Sequence, residues 1–124
     1  MEKIKFLLIL IFINCALFAQ SSANAFKADW YASEMDNTTI TIFQSSDGLW
    51  YGKIINSTNK ENIGKYLLEK MRYNPSDKSL EGQLKNPENK MVVKATLTLE
   101  GNNKLKIVGK KLLFTKTVYF IKKG

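Results

Sequence analysis

Few residue types able to do chemistry occur in this chain. Its 124 residues include no histidine and one cysteine, Cys15. Without imidazole there is no Ser-His-Asp triad, no histidine base and no histidine-ligated zinc. Acid–base work falls to carboxylates, lysine and tyrosine, and nucleophilic work to serine, threonine or lysine. Most of the acidic residues sit in turn-forming sequence or at outward strand positions. Glu69 is the exception, because it alternates with the apolar Leu67 and Met71. A carboxylate buried on such a face would be functionally suggestive, whereas a strand-end position would leave it bland. No catalytic group, metal or cofactor is expected, and the chain reads as a non-enzyme.

Aromatic side chains are the next candidates. Trp50, Tyr51, Tyr73, Phe114 and Phe120 either fill a core or line a cavity for an apolar ligand, and alternation alone does not choose between the two. Lysines are the third group. The formal net charge is +8, and Lys94, Lys104, Lys106, Lys110, Lys111 and Lys116 fall close together in sequence. Set outward on neighbouring strands, they could hold an anionic lipid or polysaccharide, or simply protect edges and keep the chain soluble.

The N-terminus has the pattern of a secretory signal peptide. Lys3 and Lys5 precede an apolar run from Phe6 to Phe18, broken by Asn14. A membrane-spanning helix needs about 20 apolar residues, so this run is too short for a stable transmembrane anchor. Cleavage is expected after Ala19, with the A-x-A site ending at Ala25 as the later alternative. Residues 1–19 are thus read as the signal peptide and residues 26–124 as the folded domain. Asn14 is too large to precede an acylated cysteine, so Cys15 is not a lipid anchor. The exported chain then has no thiol and no disulfide, although its compartment would permit one. A periplasmic or secreted location makes nucleic acid a poor partner for the positive charge.

The elements that position these residues are strands. From Met91 to Glu100 apolar residues alternate with polar ones: Met91, Val93, Ala95, Leu97 and Leu99 fall on one face. Leu105, Ile107 and Gly109 continue the pattern after Gly101-Asn102-Asn103, which is hairpin chemistry. Thr38 to Gln44 and Leu49 to Asn56 flank Ser46-Asp47-Gly48 as another hairpin. Leu80, Gly82 and Leu84 alternate between two Asn-Pro turns. Trp30 to Ser33 is a short first strand, and Phe114 to Lys122 is a last strand apolar on both faces. Ile63 to Tyr73 reads as a loop or helical turn, with Thr58-x-x-Glu61 as its capping box, followed by a strand from about Leu67. About eight short strands with hairpin turns specify an all-β, antiparallel up-and-down barrel, or a sandwich.

The order of the motifs resembles the bacterial lipocalin-like family known as domain of unknown function 2147. The resemblance runs from Ala28 to Lys122. It opens on Ala28-Asp29-Trp30 for a G-x-W element, then Trp50-Tyr51-Gly52-Lys53-Ile54 and the Tyr73 strand. Leu80-Glu81-Gly82, Asn86-Pro87-Glu88-Asn89-Lys90 and Leu105-Lys106-Ile107-Val108-Gly109 follow, and the chain closes on Lys116-Thr117-Val118-Tyr119-Phe120-Ile121-Lys122. Ala28 stands where the family has Gly, Lys116 and Lys122 where it has Arg, and Phe120 where it has Trp. The resemblance implies an exported lipocalin-like barrel and no activity, since none is established for the family. It also implies a barrel-closing pair, Trp30 against a basic residue of the last strand, here Lys122. The expected function is binding of a small apolar or amphiphilic ligand by a monomer. The alternative is an envelope protein holding an anionic component through its lysine face.

Overall fold

The computed structural model describes residues 22–123. The expected signal peptide and Cys15 lie outside the described residues. Eight strands form one closed antiparallel barrel in the sequential order of an up-and-down topology, as the alternation and hairpin turns require. They are β1 Asp29–Ala32, β2 Thr38–Gln44, β3 Trp50–Asn56, β4 Tyr66–Asn74, β5 Ser79–Lys85, β6 Val92–Glu100, β7 Lys104–Lys111 and β8 Phe114–Lys122. The last strand returns to the first, with Trp30 opposite Lys122 and Tyr31 opposite Ile121. That ladder removes the sheet edges that an open sheet would expose to other chains.

The inward face follows the sequence alternation. Leu80, Gly82 and Leu84 pair with Leu97, Ala95 and Val93, and Leu97 and Ala95 pair in turn with Ile107 and Gly109. Apart from Val92 and Val108, the outward partners are polar or charged, as expected where one face of the sheet meets water. A 3₁₀ turn at Asn24–Phe26 lies before β1. Phe26 and Ala23 are buried in the same core as Trp30, Ile40 and Phe120, so this leading segment belongs to the fold.

The uncertain stretch resolves into a short 3₁₀ turn, Lys60–Asn62, and a strand that starts at Tyr66. The N-cap is Asn59, whose side chain accepts from the Glu61 amide. Thr58 instead accepts a hydrogen bond from Asn37 Nδ2 at 3.2 Å, so the expected capping box is not formed. In β4 the register shifts against β3 between Tyr66 and Leu68 and again between Leu68 and Met71, and against β5 between Glu69 and Arg72. Lys70 takes a left-handed backbone there, with φ of 52–53° shared by several turn residues and 53° at Lys70 itself. Such β-bulges add an unpaired residue and re-aim its neighbours.

Candidate functional site

Hairpin polarity gives the barrel two different ends. The β2–β3, β4–β5 and β6–β7 turns share one end with the start of β1 and the end of β8. This end is closed. Trp30 is fully buried and its indole N–H donates to the Phe26 carbonyl at 3.0 Å. Phe26 meets the Tyr73 ring edge-on, with centroids 6.4 Å apart. Large rings thus fill this half of the interior.

The other end is framed by residues 33–37, 57–65, 86–91 and 112–113. It opens into a cavity of about 720 Å³. Leu67, Leu84, Val93, Ile107 and Val118 supply an aliphatic wall, and Phe120 is part of the lining. Gly109 and the short valines leave space that the bulky rings remove at the closed end. Asn86, Lys111, Thr115 and Lys116 bring polarity to the lining, which includes no carboxylate. Part of the rim is tied. Lys65 Nζ donates to the Pro87 carbonyl at 3.1 Å, the Thr58 amide to the Asp36 carbonyl at 2.8 Å, and Tyr31 OH to Asn37 Oδ1 at 2.6 Å.

The candidate residues read from the sequence are divided among three places. Phe114 and Phe120 line the cavity. Trp50 is buried opposite Met71, and Tyr73 packs on Phe26, both toward the closed end. Tyr51 and Glu69 lie on the outer wall. Glu69 pairs with the outward Gln83 and approaches Lys85 Nζ at 3.8 Å. The β4 register shifts on either side of it turn it away from the face of Leu67 and Met71, so the apolar-face reading of Glu69 is corrected. Leu67, Leu84, Val93, Ile107 and Val118 were legible as apolar strand positions, but aromatic size drew attention away from them. A cavity forms where inward side chains are small, not where they are largest.

The barrel-closing pair is also revised. Lys122 opposes Trp30 on the backbone ladder, yet the cation–ring contacts among the described residues are Lys104 with Tyr119 and Lys123 with Tyr31. The indole is already covered by the 22–28 segment, so the plug is Phe26 and not the Lys122 side chain.

On the outer wall Tyr51 donates to Asp47 Oδ2 at 3.0 Å and stacks on Phe43 with centroids 6.2 Å apart. The hydrogen bond to Asp47 pushes the Tyr51 phenol above its usual range, with desolvation and the Asp47 charge acting in the same direction. A raised folded-state pKa favours the neutral phenol. This contact therefore supports the fold at neutral pH and is lost as pH rises through the raised value. Asp47→Asn should bring Tyr51 back toward ordinary tyrosine titration, read as an earlier rise of tyrosinate absorbance. An unchanged titration would show that the bond does not hold the phenol's proton.

Among the described residues no three of the Asp, Glu and Cys side chains gather as metal ligands. No family model, curated protein or solved structure matches the chain, so the resemblance to the lipocalin-like family rests on its motifs alone.

Proposed function

We propose that this domain is a non-enzymatic binding module for a small amphiphilic molecule held in the open half of the barrel. One observation carries the reading: an apolar cavity of about 720 Å³ whose lining includes two lysines and no carboxylate. Its volume falls in the range of about 300–1,000 Å³ usual for small-ligand sites, which are mostly apolar with a few placed polar groups. The aliphatic wall suits a hydrocarbon chain or fused rings. Lys111 and Lys116 suit an anionic head near the opening. The absence of histidine from the chain fits a binder better than a hydrolase. The protein acts as an exported monomer in this reading. Cleavage after Ala19 would keep the buried Ala23 and Phe26 in the product, whereas cleavage after Ala25 would remove Ala23.

A solvatochromic probe with one sulfonate, anilinonaphthalene sulfonate, tests this. It should bind with micromolar or better affinity, about −8 kcal/mol or stronger, and a C12 fatty acid should displace it. Val118→Trp places an indole in the cavity and should weaken the probe about tenfold while the melt stays cooperative. Absence of binding, or equal binding by the variant, would remove the cavity from the explanation.

The second reading is adhesion to an anionic envelope component through outward lysines. Lys94 and Lys110 stand directly opposite each other on β6 and β7. Like charges so placed are destabilising unless an anion lies between or above them.

A further inference from the structure

We propose that the open end of the barrel docks on an anionic phospholipid bilayer, with the β7–β8 tip as the inserted wedge. The tip is apolar where hairpins are normally polar. Leu112, Leu113 and Phe114 are 91%, 97% and 81% exposed. Where the neighbouring β5–β6 connection enters β6, Met91 and Val92 are 46% and 44% exposed. Val92 at the start of β6 and Leu112 just past the end of β7 each lie two residues from the Lys94–Lys110 pair, so these apolar groups belong to one corner of the open end. Single exposed apolar residues need no explanation, but a contiguous group points to an apolar partner.

The backbone of the tip is a second, independent observation. Leu112 has φ of 51°, the left-handed region. In a two-residue hairpin that position ordinarily carries Gly or Asn. Elsewhere in the described residues positive φ falls on Gly, Asp, Asn or Lys, so Leu112 is the one apolar side chain so placed. Two leucines at the tip serve neither turn geometry nor the protein's own core.

Charge selects the partner. Lys90, Lys94, Lys110, Lys111 and Lys116 surround this corner, and Glu88 is the acidic residue of the adjoining 86–91 connection. Among the described residues the ion pair is Lys85 with Glu69, so the five lysines have no carboxylate partner within 4.0 Å. Apolar side chains ringed by lysine match the boundary of an anionic leaflet. The leucines and phenylalanine enter the acyl region, while lysine stems lie along it and their ammonium groups stay among the phosphates. A folded protein partner would have to match shape as well as charge, whereas a bilayer accepts a protruding tip of any outline. Phe114 both lines the cavity and stands at the tip, so docking would place the cavity mouth against the lipid. The docking does not depend on the cavity being occupied.

The test places an environment-sensitive nitrobenzoxadiazole label at Leu113→Cys in a Cys15→Ser background, with the N-terminus of the purified chain defined by mass spectrometry. Asn102→Cys, in the turn at the closed end, carries the same label as a control. Vesicles of phosphatidylglycerol and phosphatidylcholine should blue-shift and brighten the label at 113 but not at 102. Phosphatidylcholine alone, or high salt, should diminish the effect, as screening demands. Leu112→Gly with Leu113→Ser suits the turn backbone and should keep the fold. In protein of the same N-terminus it should lower vesicle partitioning by about tenfold or more, given the apolar area withdrawn. A label at 113 that stays in water while vesicles bind the protein would overturn the proposal. So would a shift that appears without lipid and grows with protein concentration, which would assign the tip to a second copy of the chain. Probe binding to the cavity, measured separately, survives either result.

Discussion

Trp30→Ala should lower the unfolding free energy by about 3–5 kcal/mol, the range for truncating a large buried aromatic side chain. The indole is fully buried among Phe26, Ile40 and Phe120 in the core. Its N–H also holds the Phe26 carbonyl at 3.0 Å, so alanine removes both the packed ring and the donor that fixes the leading segment. The loss is greater than for an aliphatic core residue because the ring is larger and its N–H also ties down the leading segment. Lys122→Met is the comparator. It keeps an unbranched stem of similar length at a surface position, and should change stability by less than about 1 kcal/mol. Urea unfolding followed by far-UV circular dichroism checks both. A neutral Trp30→Ala would mean that the barrel end is sealed without the indole. A large loss at Lys122→Met would restore the lysine to the plug.

The next largest effect is expected at Gly82→Ala, about 2–3 kcal/mol of destabilisation, toward the upper end for overpacking in a close-packed site. A Cβ on Gly82 would stand 2.7 Å from the Lys70 carbonyl oxygen and 2.8 Å from Met71 Cα. The Met71 thioether could swing aside, but those backbone atoms could move only by undoing the β4 bulge. The bulge brings the β4 backbone across β5, and only a residue without a side chain fits beneath it. Gly109→Ala is the contrast. Its added Cβ would meet the Val93 methyl at 3.3 Å, a side-chain contact beside the open cavity. It should be far better tolerated. Equal destabilisation by the two substitutions would show that the bulge itself yields easily.

These two sites also separate what could be read locally from what could not. The strands were legible because their signals are local. β-Branched and aromatic residues from Thr38 to Gln44 became β2 over those same residues. The Met91–Glu100 alternation became β6 from Val92, with Ala95 and Leu97 buried. Glycine and asparagine at 101–103 made the expected turn. Eight strands joined by short hairpins then left barrel or sandwich, and the Trp30–Lys122 ladder decided for closure.

The ligand side was harder to read. Ring size suggests Trp50, Tyr51, Tyr73, Phe114 and Phe120 for a cavity, and Phe114 and Phe120 line it, but size says nothing about height along the barrel axis. Trp50, Tyr51 and Tyr73 sit at the closed end or outside, and the space is left where Gly109, Val93 and Val118 converge. Phe114 reads as the first residue of a strand apolar on both faces, and only its place beside Leu112 and Leu113 at a hairpin tip reveals this run as surface.

By itself the sequence determined the strand periods, the turns, the absence of imidazole chemistry and the positive charge. All of these are properties of residue type or of neighbours a few positions apart. The tertiary structure alone decided which end of the barrel is open, that Glu69 faces outward, and that Phe26 covers Trp30. The reason is geometric. Side-chain direction in a strand has a period of two, so the register shifts on either side of Glu69 turn it outward while Leu67 and Met71 stay buried. The shifts are visible only in the pairing of β4 with β3 and β5, which no single strand carries in its own sequence.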